Sequence, residues 1–175
     1  MLHGDLVTLR PVTPADLSLL YEWRMDAETW QLSEDDPLVP MTFARYEERH
    51  KLRESDEVGA EFAIEGNGEL VGRCGMFAFD HLARNASIGI TIGLPHRGRG
   101  YGRDAVRVLL DYGFRLRNLH RVHLDTIATN VAGQRAYVAA GFVEEGRLRE
   151  HAWVDGRYVD LVQMGVLRSE WNAER

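Results

Sequence analysis

The chain carries one cysteine, Cys74, and one lysine, Lys51, among its 175 residues. A single thiol excludes an intrachain disulfide and a thiolate metal cluster. Its neighbours, Gly72-Arg73-Cys74-Gly75-Met76, place that thiol inside a strand as a buried structural group. No apolar run approaches the roughly 18 residues needed to cross a bilayer, so no membrane span is expected. The opening Met1-Leu2-His3-Gly4-Asp5 lacks the charged and apolar regions of a secretory signal, which points to the cytoplasm. No low-complexity tract is present. Positive charge is in deficit: 27 acids against 21 bases give a net charge of −6. Such a field disfavours nucleic acid and suits a cationic substrate. His, Asp and Glu nowhere share metal-ligand spacing, so no metal is expected.

What is present reads as one domain, residues 1–175, with enough chain for a full core. Residues 6–10 alternate as a short strand. Thr13-Pro14-Ala15-Asp16 then has the form of a helix start, with Thr13 as N-cap and Asp16 closing a capping box. Leu17, Leu20 and Trp23 would give that helix its buried face. Periodicity is lost over residues 26–40, a loop or broken helix, and a second helix fits residues 42–53. Three strands follow at residues 61–64, 70–79 and 86–94, forming an antiparallel meander. A helix from residue 101, a strand at 120–127 and a short helix at 131–140 stopped by Gly141 come next. Strands at 142–151 and 158–167 close the chain around an Asp155-Gly156 hairpin turn. The fold class is therefore α/β, a mixed sheet flanked by helices.

The stretch that organises the second half is Arg97-Gly98-Arg99-Gly100-Tyr101-Gly102-Arg103. It lies between the strand ending near Leu94 and the helix containing Val106, Leu109 and Leu110. Glycines let the backbone turn with its N–H groups inward, and a helix N-terminus adds partial positive charge for a phosphate. No Gly-Lys-Ser/Thr closes the loop, so it is not a Walker loop. Its third glycine comes one residue too early for a dinucleotide fingerprint.

Downstream, Asn130 and Tyr137 are followed by Gly141-Phe142. Together with Arg97, Gly100 and Gly102, these residues resemble the coenzyme motif and the C-terminal signature of the GNAT N-acetyltransferase superfamily. Leu9-Arg10-Pro11, Asp111-Tyr112-Gly113-Phe114, Leu119-His120-Arg121-Val122, Glu145-Gly146-Arg147-Leu148-Arg149 and Asp160 with Met164 add to the likeness. The branch is similar to ribosomal-protein-alanine and spermidine acetyltransferases.

The resemblance covers nearly the whole chain and implies a mostly antiparallel sheet with a splayed parallel strand pair. It implies acetyl-CoA as co-substrate and a primary amine of a protein N-terminus, polyamine or antibiotic as acceptor. It allows a homodimer. The pyrophosphate would lie on the amides of Gly98, Arg99, Gly100, Tyr101, Gly102 and Arg103, with Arg97 beside them. The pantetheine arm would run along Ile90, Thr91 and Ile92. The Ile92 amide would polarise the thioester carbonyl, Asn130 would lie near the arm, and Tyr137 would protonate the departing sulfur.

Each assignment has a plainer counterpart. Tyr137 can be a core residue, Asn130 a helix cap, and at least one of the arginines a solvated side chain. Trp30, Trp153 and Tyr158 are candidates for the acceptor wall or for a dimer contact. The chain also departs from the pattern. Ser87-Ile88-Gly89 stands where many relatives carry Glu-Ile-Gly, so the base that takes the amine's proton is open. Ser87 relaying through water, Asp80, Glu150, Asp160, His81, His123 and His151 are the candidates. Gly133, in place of a small Ala or Ser, should weaken its helix slightly. The reading is an acetyl-CoA-dependent N-acetyltransferase; the alternative is a non-catalytic acyl-CoA-binding sensor or interaction module.

Overall fold

In the computed structural model, residues 1–33, 38–54 and 59–171 are described. The chain runs β1 (Leu2–His3), β2 (Thr8–Arg10), a 3-10 turn (Pro14–Asp16), α1 (Leu17–Met25), α2 (Ala27–Ser33) and α3 (Phe43–Glu54). It continues with β3 (Ala60–Gly66), β4 (Glu69–Asp80), β5 (Asn85–Ile92) and α4 (Tyr101–Asp111). The last elements are β6 (Arg121–Ile127), α5 (Val131–Ala139), β7 (Val143–Val154) and β8 (Arg157–Leu167). The eight strands form one sheet in the order β1-β2-β3-β4-β5-β6-β8-β7. Every neighbouring pair is antiparallel except β5 with β6.

Alternation along the strands divides the apolar side chains between two faces. One face carries Leu9, Ile64, Met76, Ile88, Val122, Leu124 and Val162, packed against Tyr101, Ala105, Leu109 and Leu110 of α4. A separate cluster joins Leu17, Leu20 and Trp23 of α1 to Met41 and Tyr46, with Leu70 of the sheet against it. Cys74 is buried as expected for a structural thiol, and burial pushes its pKa up, far from thiolate.

Two features of the helices sharpen the sequence reading. Within the segment read as a loop or broken helix, residues 27–33 form α2, started by Asp26, whose carboxylate accepts the Thr29 N–H at 2.8 Å. Residues 34–37 of that segment lie outside the described residues. After α4 the chain widens into a π-turn at Tyr112–Leu116, with the Arg117 N–H bonded to the Tyr112 carbonyl. An added Cβ at Gly113 would come within 2.5 Å of the Met76 methyl on β4, so a larger residue there would force that methionine to move.

The helix start at Thr13 is present, but Asp16 does more than cap it. Its carboxylate accepts the Thr13 N–H at 2.7 Å and a bidentate pair of bonds from Arg10 at 2.8 and 2.9 Å. Arg10 also reaches Glu65 at 2.8 Å, so β2, β3 and the first helix share one ion network. Arg10 above all draws the Asp16 pKa down to about 2. A depressed carboxylate stabilises the fold above its ordinary value near 3.8, and that contribution is lost as pH falls from there to about 2. The difference is about 2 kcal/mol. Asp16→Asn is therefore expected to lower Tm at pH 7 by roughly 4–8 °C and to flatten the fall in Tm between about pH 4 and 2. Thermal scans over that range that coincide for the two proteins would contradict this.

Candidate active site

The parallel pair opens as it runs. β5 and β6 are in register only at Asn85–Arg121, Ala86–Val122 and Ser87–His123. Beyond that point β5 stays on β4 as far as Ile92, and β6 stays on β8 as far as Ile127. The two middle strands therefore diverge into a wedge whose apex is Ser87 and His123. This is the splayed pair expected from the sequence.

Strand alternation fixes which backbone groups line the wedge. The Gly93 N–H is bonded to the Val71 carbonyl on β4, so the amides of Thr91 and Gly89 also face β4. Those of Ile90 and Ile92 then face the wedge, with no strand opposite. Thr91, by contrast, has its backbone committed to β4.

The cradle stands at the open end. Gly98 and Gly100 have φ of +74° and +85°, a left-handed conformation that favours glycine. Gly100 is the N-cap of α4 and has no side-chain cap bond. Among the described residues, no turn or loop bond uses the N–H groups of residues 98–103. Those in the first turn have no partner within the helix either. The result is a run of inward amides at a helix N-terminus, able to hold a diphosphate. Arg99 and Arg103 are exposed beside it, with no ion pair among the described residues. Tyr101 contributes only backbone: its ring is buried on Gly66, and its hydroxyl accepts from Asn67 at 3.0 Å. Buried Asp104 fixes the helix in place by accepting the Leu6 and Val7 N–H groups at 2.7 and 3.0 Å.

Arg97 and Asn130, both assigned to the coenzyme, are also tied to α2. Arg97 Nε donates to the Ile92 carbonyl at 3.1 Å, its Nη2 donates to Thr29 Oγ1 at 3.1 Å, and Glu28 lies at 3.6 Å. Asn130 caps α5 by accepting the Gly133 N–H at 3.0 Å. Its Nδ2 donates to the Leu32 carbonyl at 3.1 Å and to Thr126 Oγ1 at 3.3 Å. Helix α2 is thus fixed at its start by the cradle and at its end by the cap of α5. Gly133 has a local reason: a Cβ there would crowd Asn130 Nδ2 at 2.5 Å. Glycine lets the amide lie over the first turn, which offsets its poor helix propensity.

Tyr137 lies on α5 in the same buried cluster as Ile88 and Leu124, with Ile90 and Ile92 packed at its edge. Its ring meets Phe142 edge-on at 5.9 Å. The hydroxyl has no hydrogen bond among the described residues, and burial pushes its pKa up to about 12. It stays protonated at neutral pH and is therefore able to donate.

On the opposite face of β5, Leu20, Trp23, Arg24, Thr29, Trp30, Arg73 and Thr91 enclose a narrow cavity. The Arg24 guanidinium lies 4.3 Å over the Trp30 ring, and Arg73 is paired with Glu61 at 3.1 Å. Trp30 therefore joins this cavity. Trp153 and Tyr158 are not among its lining residues; they pack edge-on against each other, exposed, at the β7–β8 hairpin. Leu20, Trp23 and Thr29, which also line this cavity, were not among the candidates read from sequence. The one sequence signal for this region was Asp26 three residues before Thr29, a cap followed by a helix of only seven residues.

The candidate bases separate spatially. Asp80 accepts the Leu82 and Ala83 N–H groups in the β4–β5 turn, and His81 stacks on Phe79 there. Glu150 and His151 lie in a β7 bulge, with the Glu150 N–H bonded to Asp160. Only His123 is paired with Ser87. Among the described residues no group of three His, Cys, Asp or Glu is arranged to hold a metal ion, and no helix is long and apolar enough to cross a membrane.

A splayed parallel pair headed by an amide cradle defines an acyl-CoA-type transferase fold, and this chain belongs to the acetyltransferase (GNAT) domain family, whose model matches residues 7–143. It is 28% identical over 166 residues to the spermidine N(1)-acetyltransferase of Vibrio cholerae, covering 94% of this chain and 95% of that protein. It is also 28% identical over 177 residues to a putative ribosomal N-acetyltransferase of Bacillus subtilis, covering 98% and 97%. The crystal structure of the V. cholerae spermidine N-acetyltransferase in complex with CoA and spermine matches with a TM-score of 0.88 at 27% identity, covering 95% of this chain and 98% of that one.

Proposed function

We propose that the protein transfers the acetyl group of acetyl-CoA to a primary amine by direct attack in a ternary complex. One observation carries the reading: the wedge between β5 and β6 has its amide cradle at the mouth, and Tyr137 belongs to the buried cluster against which Ile90 and Ile92 pack. The CoA bound to the V. cholerae relative supports the same ligand here.

The amides of residues 98–103 hold the pyrophosphate, with Arg99 and Arg103 adding charge. From the cradle the arm passes the Ile92 N–H first and the Ile90 N–H next, toward the apex. Of the two amides the sequence offered, the one nearer the apex, Ile90 N–H, then polarises the thioester carbonyl, whose oxygen gains charge on attack, and Ile92 holds the arm. The amine arrives as an ammonium ion and loses one proton past Ser87 before its nitrogen bonds to the carbonyl carbon. The carbon–sulfur bond then breaks, and Tyr137 protonates the sulfur. The second N–H proton restores Tyr137, so one proton leaves to solvent for each amide formed. The names of the two relatives, a spermidine N(1)-acetyltransferase and a putative ribosomal N-acetyltransferase, make a polyamine and a peptide N-terminus the first acceptors to try.

The test is thiol release from acetyl-CoA across polyamines, peptide N-termini and aminoglycosides, with products identified by mass. Acetylated product from at least one class is expected. Tight CoA binding with no turnover on any amine would identify a non-catalytic acyl-CoA sensor instead.

A further inference from the structure

At the apex of the wedge the paired strands bring two side chains onto one face. Ser87 of β5 and His123 of β6 are direct partners in the last parallel pair before the strands part. Partners in a pleated sheet point the same way, and adjacent strands lie about 4.8 Å apart. A serine and an imidazole so placed are within reach of one hydrogen bond or one bridging water. Their shared face is the one to which Thr91 turns; Thr91, four residues nearer the mouth, lines the cavity under α1 and α2, and the pair lies further along the same face. The other face carries Ala86, Ile88, Val122 and Leu124.

Among the described residues the Nδ1 of His123 is fully buried without a hydrogen-bond partner, a state it shares with His96 Nδ1 and Trp171 Nε1, and its ring forms no ion pair. Buried polar nitrogens are paired in the great majority of proteins, so an orphan one marks a place where water or a ligand completes the bonding. Gly165, its partner on β8, leaves that side without a side chain of its own. The space over Gly165 is taken by the Arg121–Glu145 pair.

We infer that His123 is the group that receives the acceptor amine's proton, passed to it through the Ser87 hydroxyl or a water between them. This rests on the acetyltransferase reading and supplies the base that Ser87, in place of a glutamate, cannot be. The ammonium gives its proton to the relay as the relay gives one to the ring. The imidazolium then releases that proton to solvent before the next turnover. Burial, and then Arg121 on the same strand, lower the His123 pKa, while Asp125 of β6 and Glu145 of β7 raise it. Its partners on β5 and β8, Ser87 and Gly165, carry no charge. The balance leaves the ring neutral at pH 7 and able to accept.

The experiment is kcat against pH at saturating acetyl-CoA and amine. The wild-type profile should show an acidic limb below the ordinary histidine value of about 6.5. That limb should stay in place when acceptors of different amine basicity are compared. His123→Gln should lower kcat by about 10²-fold or more, within the range for a lost general base, and erase the limb while acetyl-CoA binding is kept. Ser87→Ala should lower kcat less and keep the limb. Should the glutamine variant fail to bind acetyl-CoA, the C–H resonance of His123 can be titrated in the wild-type complex, where its midpoint must match the limb. Wild-type turnover with an unaffected His123→Gln profile, or a mismatched midpoint, overturns this inference alone. A wild-type protein that acetylates no amine overturns the proposed function first.

Discussion

Tyr137→Phe should lower kcat by about 10²–10³-fold while leaving the acetyl-CoA KM and Tm close to wild type. The ring is 8% exposed and packs on Phe142, and phenylalanine keeps those contacts. The hydroxyl holds no partner among the described residues, so its removal breaks no structural bond. What is lost is a proton donor. A pKa near 12 keeps the hydroxyl protonated throughout the working range, and the departing thiolate is the base it meets. The drop should therefore appear in kcat alone. If steady-state kinetics instead return wild-type kcat, Tyr137 is a core residue and the sulfur finds its proton elsewhere.

Gly100→Val should act on the donor side only. At φ +85° a β-branched residue is a true outlier, and such strain costs roughly 1–3 kcal/mol. An added Cβ would also meet Leu6 at 3.1 Å. In the free protein this exposed turn can relax into another conformation, but binding a diphosphate requires the cradle. The strain then appears as weaker binding, about 5- to 150-fold in Kd for acetyl-CoA. Calorimetry should show that loss, and turnover at saturating acetyl-CoA should stay near wild type. An unchanged Kd would mean that the amides of residues 98–103 do not hold the phosphates.

The parts of this site that were legible in sequence are those fixed by local chemistry. Glycines at 98 and 100 announce a turn of inward amides, and the structure gives both a left-handed backbone. Asn130 ahead of a short helix announces a cap, and Gly133 N–H takes it. The mixed sheet followed from strand periods and the order of elements. What stayed hidden depends on tertiary contact. Where β5 and β6 stop pairing is not written in either strand, so the apex at Ser87 and His123 emerged only with the register. Gly113 looked like an ordinary helical position because the methionine that crowds it lies on a distant strand. Helix α2 could be read only as loop or broken helix because seven residues show too little period, and its two anchors, Arg97 and Asn130, come from far along the chain.

On the proposed function, those anchors would let one family motif serve both substrates. Arg97 joins the carbonyl of Ile92, at the edge of the wedge, to Thr29, on the wall of the opposite cavity. On the proposed function, with the amine arriving from that cavity, donor and acceptor would share this wall, the alignment that a ternary-complex mechanism requires. The measurement that tests the account most directly is the crystal structure with CoA bound. The account predicts the pyrophosphate on the amides of residues 98–103, the arm between β5 and β6 bonded to Ile90 and Ile92, and the sulfur beside the Tyr137 hydroxyl. CoA bound away from the wedge, or a sulfur out of reach of Tyr137, would contradict it.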